Sequence, residues 1–268
     1  MQKKLLFISA GFALVAACTR VPITGRSQLN LIPESTMQSM ALQEYQTFLS
    51  SNKTVSSATS KDAEMVKRVG QRIANAVTQY MTQNNQAAAV ANYKWEFNLV
   101  DSKEVNAWCM PGGKVVVYTG LLPVTQNETA LACVMGHEIA HAIARHGNER
   151  MSNQLVVQGV QVAGQVALNR NPTAQNVFLQ SFGVGSNLGM LAFSRKDELE
   201  ADHLGVIFMA MAGYNPQESI PFWQRMASMS GGNKPPELTS THPSDARRVA
   251  QLQNLMPEAM KYYKPISK

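Results

Sequence analysis

Cysteine is scarce in this chain, with three in 268 residues. None of Cys18, Cys109 and Cys133 has zinc-ribbon spacing, and the sequence leaves open whether Cys109 and Cys133 meet in a disulfide or stay as buried thiols. Charge is also sparse, at 16% of residues, and no Lys/Arg run stands out. Two of the six net positive charges are Lys3 and Lys4, leaving +4 elsewhere, so a nucleic-acid footprint is excluded. The N-terminal apolar stretch holds thirteen residues between Lys4 and Cys18, short of the ~20 that span a bilayer. Histidine is rare as well, yet three of the five histidines crowd into "VMGHEIAHAIARHG", residues 134–147. What is plentiful is apolar content, at 45%, enough for the core of one large domain.

The opening "MQKKLLFISAGFALVAAC" places two lysines, an apolar run from Leu5 to Val15, and Ala16 and Ala17 directly before Cys18. That is a secretory signal layout, and it resembles the lipobox of bacterial lipoproteins. The resemblance implies that residues 1–17 are removed and that lipidated Cys18 anchors the chain to a membrane through several acyl chains. Thr19, where an aspartate would resemble the inner-membrane retention signal of enteric bacteria, points to the outer membrane of a Gram-negative envelope, facing the periplasm. Residues 18–34, with Pro22, Gly25 and Pro33, read as a tether, leaving 35–268 as the domain.

Helical patterning begins where Ser35 can cap a helix running to about Leu49. After the Ser/Thr-rich loop "SSNKTVSSATS", Val66, Val69, Ile73 and Val77 recur at spacings of three and four within 61–82. The period then changes. "YKWEFNLV" alternates apolar and polar residues as a half-buried strand does, and Gly112 and Gly113 join an extended "NAWCM" to "KVVVY" in a hairpin-like arrangement. Residues 154–168 are apolar enough to suggest a membrane hairpin, but Gln154, Gln158, Gln161 and Gln165 form a wet stripe that favours an amphipathic helix.

His137-Glu138-Ile139-Ala140-His141 is an H-E-x-x-H pattern. On a helix, both imidazoles reach one metal ion and Glu138 leans toward a catalytic water. Thr125 and Glu128 form a possible capping box before it, Leu131, Val134 and Ile143 supply apolar contacts, and Gly147 is a fitting stop. The competing reading is a core helix that happens to carry histidines, and a third ligand separates the two, since catalytic zinc takes three protein ligands and keeps one position for water. The metzincin answer fails because position 147 is glycine and position 144 is Ala144. The second helix in "FSRKDELEADHLG" offers a carboxylate instead. Glu198 and Asp202, four apart, share a face, so Glu198 can bind metal while Asp202 hydrogen-bonds the far nitrogen of a ligand histidine. Glu200 lacks such a partner at Leu204, and Glu198 is preferred.

"TGRSQLNLI", "NAWCMPGGKVVVYTGLL", "HEIAHAIARHG" and "SRKDELEAD", followed by "THPSDARR", together resemble the HtpX-like and CAAX-prenyl-protease-like gluzincins, family 48 of the metallopeptidases, especially their single-domain envelope lipoproteins. The likeness covers roughly residues 24–255. It implies an α+β, mostly helical, zincin-like metalloprotease domain with a small mixed β-sheet beside the H-E-x-x-H helix. It implies one zinc ion held by His137, His141 and Glu198, with Glu138 as general base. It also implies a segment, Asn106, Ala107 and Trp108, that binds peptide by strand addition. His242 of "THP" would either stabilise the oxyanion or latch the open zinc position. Arg247 or Arg248 assists or is ordinary helix surface; His146 and His203 are read as structural. The expected activity is a zinc endopeptidase of the cell envelope acting on polypeptides, misfolded envelope proteins among them. The alternative is a latched lipoprotein working mainly as a chaperone or assembly factor.

Overall fold

The computed structural model describes residues 18–157, 172–183, 193–230, 238, 242 and 246–266. The signal-like residues 1–17 and most of the glutamine-striped 154–168 lie outside them. Among the described residues the chain is mostly helical with a small mixed sheet, an α+β architecture. Strands β1 (Cys18–Arg20) and β2 (Ser27–Leu29) pair antiparallel. A four-stranded sheet then has the order β3-β4-β6-β5, from β3 (Thr54–Val55), β4 (Glu96–Val100), β5 (Ala107–Met110) and β6 (Lys114–Tyr118). Only β4 and β6 run parallel. The helices are α1 (Glu34–Ser51), α2 (Lys61–Gln83), α3 (Leu122–Thr125), α4 (Glu128–Ile143), α5 (His146–Val157), α6 (Pro172–Phe182), α7 (Arg195–Met211), α8 (Ser219–Ser230) and α9 (Ala246–Tyr262).

The sheet is the middle layer, and the pleat sends alternate residues to two cores. Leu99, Ala107, Val115 and Val117 join the cluster built on α2, α4 and α7. Trp108, Met110, Val116 and Tyr118 join Tyr45 and Phe48 of α1 and Phe178 of α6. β6 lies between β4 and β5 and is buried along its whole length. The turn between β5 and β6 needs Gly112 and Gly113, whose φ values of 84° and 83° are left-handed. In α2, Val66, Val69, Ile73 and Val77 all face the core, and Ser60 caps the helix by accepting from the Ala63 amide.

α4 is buried from Ala130 to Ile143. Its closest neighbour is α7, and two glycines make that approach possible. A Cβ on Gly136 would stand 2.9 Å from the Gly205 carbonyl oxygen, and one on Gly205 would stand 2.9 Å from the His137 amide nitrogen. The helices therefore touch backbone to backbone, which sets the height of Glu198 against the two motif histidines.

Several local expectations change. Pro33, not Ser35, precedes the first turn of α1, and its carbonyl takes the Thr36 and Met37 amides. Thr125 ends α3, and Asn127 caps α4 through a 2.8 Å bond from the Ala130 amide. Arg145, at φ 57°, ends the run after α4, while Gly147 lies inside α5 where a Cβ would strike the Phe182 ring. Two residues of the Ser/Thr-rich loop pair with β4 as β3. The stretch read as a tether is bound to the domain, with Gln28 and Ile32 buried and the Leu31 amide donating to Ser152 Oγ at 2.9 Å.

Candidate metal centre

His137 and His141 sit one turn apart on α4, with their Nε2 atoms 3.1 Å from each other. Glu198 reaches across from α7, its Oε2 3.4 Å from His137 Nε2 and its Oε1 3.3 Å from His141 Nε2. α7 starts cleanly here because Ser194 and Asp197 form a reciprocal capping box. His242 adds Nδ1, 3.1 Å from His137 Nε2 and 2.9 Å from Glu198 Oε1. All four side chains are buried, and their donor atoms lie within 4.8 Å of one another. Four nitrogen and oxygen donors placed tetrahedrally at 2.0–2.1 Å from zinc would stand about 3.3 Å apart, so the set has a suitable size.

Its polarity also fits a cation. His137 Nδ1 is 3.0 Å from Asp202 Oδ1, a carboxylate that also accepts from Arg248 at 2.6 and 2.7 Å. His137 therefore donates through Nδ1, and its Nε2 lone pair faces the Glu198 carboxylate and another imidazole. Acceptors that converge this closely in a buried site need a positive charge in their midst. Burial and Arg248 push the His137 pKa down, yet the Asp202 and Glu198 carboxylates prevail and hold it up at about 9. Burial drives His141 well below its ordinary value against the pull of Glu198. Glu198 is itself held far below the usual carboxylate range, because His242, His137 and His141 outweigh its burial.

Glu138 stands beside this cluster. Its Oε1 has no hydrogen-bond partner among the described residues and lies 3.5 Å from His242 Nε2. Burial raises its pKa although His242 and His137 pull the other way. A buried acceptor without a hydrogen bond and with a raised pKa is placed to take a proton from a water molecule.

Of the two arginines left open by sequence, Arg247 is exposed and Arg248 is 1% exposed. Arg248 clamps Asp202, comes within 3.3 Å of Glu198 Oε2, donates to the His242 carbonyl at 3.2 Å, and lies 3.4 Å above the Trp223 ring. His203 pairs with Glu258 at 2.8 Å, away from the cluster. His146, read from the sequence as structural, places its Nδ1 2.8 Å from His141 Nδ1. Helical periodicity does not bring residue i+5 beside residue i; the left-handed Arg145 turns the chain so that it does. Glu200 is not among the four converging donors, but bonds His146, Arg26 and Thr24, which hold its pKa down at about 2 despite burial.

The segment expected to bind peptide is divided. Among the described residues β5 is at the edge of its sheet. The Asn106 carbonyl accepts from the Tyr118 amide, and Trp108 pairs in register with Val116. Alternation of an antiparallel ladder then turns the backbone groups of Ala107 and Cys109 to the edge away from β6. The Trp108 side chain belongs to the core, edge-on to Phe48 at 5.0 Å. Asn106 is fully buried, with Oδ1 accepting from the Ala107 amide and Nδ2 without a partner among the described residues. Cys109 and Cys133 are free thiols. Burial, and for Cys109 the neighbouring Glu138, raises their pKa values and keeps them protonated. Among the described residues no helix is long and apolar enough to cross a membrane.

Residues 60–256 match the family described as Peptidase family M48. The chain is 34% identical over 173 residues to the mitochondrial metalloendopeptidase OMA1 of Schizosaccharomyces pombe, covering 64% of this chain and 50% of that protein. It is 31% identical over 250 residues to the mitochondrial metalloendopeptidase OMA1 of Homo sapiens, covering 90% of this chain and 46% of the relative. With the beta-barrel assembly-enhancing protease of Escherichia coli strain K12 it shares 32% identity over 165 residues, 60% of this chain and 34% of that one. The chain thus spans about half the length, or less, of the curated relatives it matches.

Proposed function

The chain belongs to peptidase family M48, and from that premise we propose that it is a zinc-dependent endopeptidase of the bacterial cell envelope. The observation that carries the reading is the convergence of His137, His141 and Glu198 with Glu138 beside them, its buried Oε1 without a hydrogen bond among the described residues. In this reading those three side chains hold the metal and Asp202 fixes the tautomer of His137. When bound, zinc supplies Lewis acidity, polarising the scissile carbonyl and bringing the pKa of a water toward ~7. Glu138 takes the proton from the attacking water and returns it to the departing amine, a role its raised pKa suits. A polypeptide would add to the edge of β5 through the Ala107 carbonyl and the Cys109 backbone, while Asn106, whose Oδ1 holds the Ala107 amide, and Trp108 shape that edge from within. Backbone pairing tolerates many sequences, in keeping with misfolded envelope proteins as substrates.

His242 acts as a latch. Its Nδ1 takes the fourth donor position, which hydrolysis needs for water. His242 is tied to that strand edge, for its amide bonds the Leu238 carbonyl and the Leu238 amide donates to the Val105 carbonyl, on the same edge as Ala107. Peptide on that edge would compete with the latch. The same closed geometry supports the second reading, a latched lipoprotein acting mainly as a chaperone or assembly factor. Anchoring through lipidated Cys18 at the outer membrane, facing the periplasm, rests on the signal-like N-terminus, and the likeness to a beta-barrel assembly-enhancing protease accords with an envelope setting.

Casein degradation with and without chelator tests the activity. Glu138→Gln is expected to keep one zinc per chain and lose cleavage by at least 10²-fold. Turnover close to the unaltered protein would remove Glu138 as the base.

A further inference from the structure

The turn Thr24-Gly25-Arg26 between β1 and β2 plays no part in the reaction above, yet it is bound to the metal centre. Thr24 Oγ1 donates to Glu200 Oε1, and Arg26 Nε donates to Glu200 Oε2 at 2.6 Å. Arg26 is itself fixed by a two-pronged bond to Glu149, at 2.9 and 2.7 Å. The only described histidine on Glu200 is His146, whose Nε2 lies 3.0 Å from Oε2. On its other side, His146 Nδ1 lies 2.8 Å from His141 Nδ1.

We propose that His146 is a positioning residue for His141, and that Glu200, held by the Thr24-Gly25-Arg26 turn, dictates the tautomer of both imidazoles. The inference rests on the reading of His141 as a metal ligand. A carboxylate engaged by a guanidinium and a hydroxyl only accepts, so His146 presents Nε2–H to it. A neutral imidazole has one proton, which leaves His146 Nδ1 bare and facing His141. His141 must then carry its proton on Nδ1, and its Nε2 is bare toward His137, Glu198 and His242. Each histidine ligand thus has a carboxylate behind it: Asp202 directly for His137, and Glu200 through one imidazole for His141. The hairpin that begins at Cys18 becomes part of the metal centre.

The test measures zinc affinity of the full chain by competition with a chelator of known affinity. His146→Ala is expected to weaken zinc binding about 10–100-fold. His146→Gln should restore most of it, since a carboxamide can accept from His141 and donate to Glu200. Arg26→Ala should weaken binding several-fold, and unchanged affinity there would remove the hairpin's share. In the zinc-loaded unaltered protein, imidazole ¹⁵N shifts should report His141 protonated on Nδ1 and His146 on Nε2. That measurement stands even if His146→Ala fails to fold. A proton on His146 Nδ1, or a folded His146→Ala that binds zinc as the unaltered chain does, overturns the proposal. If His137→Ala loses zinc while His146→Ala keeps it, only this inference falls. If the unaltered chain binds no zinc, the reading of the site falls with it.

Discussion

Replacing Gly205 with alanine adds a single methyl group at the contact between α4 and α7. The new Cβ would lie 2.9 Å from the His137 nitrogen, 3.0 Å from its Cα and 3.1 Å from the Gly136 carbonyl carbon. These are backbone atoms of a buried helix, so no side-chain rotation relieves the clash and α7 must move. Overpacking costs about 1–3 kcal/mol, and the rigid neighbours place this site in the upper part, about 2–3 kcal/mol. The gain in helix propensity from glycine to alanine returns about 1 kcal/mol. A net loss of about 1–2 kcal/mol remains, which for a domain of this size lowers Tm by about 2–8 °C. The same displacement shifts Glu198, seven residues earlier on α7, away from donors only 3.3 and 3.4 Å distant. Zinc affinity should therefore fall along with stability. Thermal melts of the zinc-free and zinc-loaded forms, with a chelator competition, measure both. A variant with unchanged or higher Tm and full zinc affinity would refute the argument that backbone contact between these helices sets the site.

Glu198→Ala should lower zinc content below one per chain, and an unchanged stoichiometry by metal analysis would move the third ligand elsewhere. His242→Ala should raise casein cleavage if the side chain is a latch, whereas abolished cleavage would place it in the reaction itself. Glu200 has a folded pKa near 2 against an ordinary value of 4.5. Its stabilising contribution is thus full above about pH 4.5 and lost as pH falls through about 2. Glu200→Gln should accordingly be less stable than the unaltered chain at pH 7, with the gap closing toward pH 2. Denaturant titrations across that range check it, and a gap independent of pH would contradict the assigned ionisation.

Much of the layout was readable because it depends on neighbours in sequence. Val66, Val69, Ile73 and Val77 announce the buried face of α2, and the paired glycines announce the turn from β5 to β6. The capping predictions went astray at Ser35, Thr125 and Gly147 because each position suits more than one local role. At residue 147 the absence of a side chain serves the nearby Phe182 ring rather than a helix end. Asn106 to Trp108 were read as one substrate-facing unit, but the ladder alternates, so the backbone of Asn106 and Trp108 bonds β6 while the carbonyl of the buried Ala107 faces the other edge of β5.

The sequence by itself determined the chemistry that could be assembled. The i, i+4 spacing of His137 and His141 places two imidazoles on one face of any helix, and that of Glu198 and Asp202 does the same for two carboxylates. Tertiary structure alone decided what surrounds them. His242 joins the other three donors, its amide bonded to Leu238, which in turn bonds Val105. Arg248 rather than Arg247 enters the core on the inner face of α9. His146 joins His141 because the backbone reverses hand at Arg145. Helical geometry reaches about one turn along the chain; everything beyond that distance depends on how the helices pack.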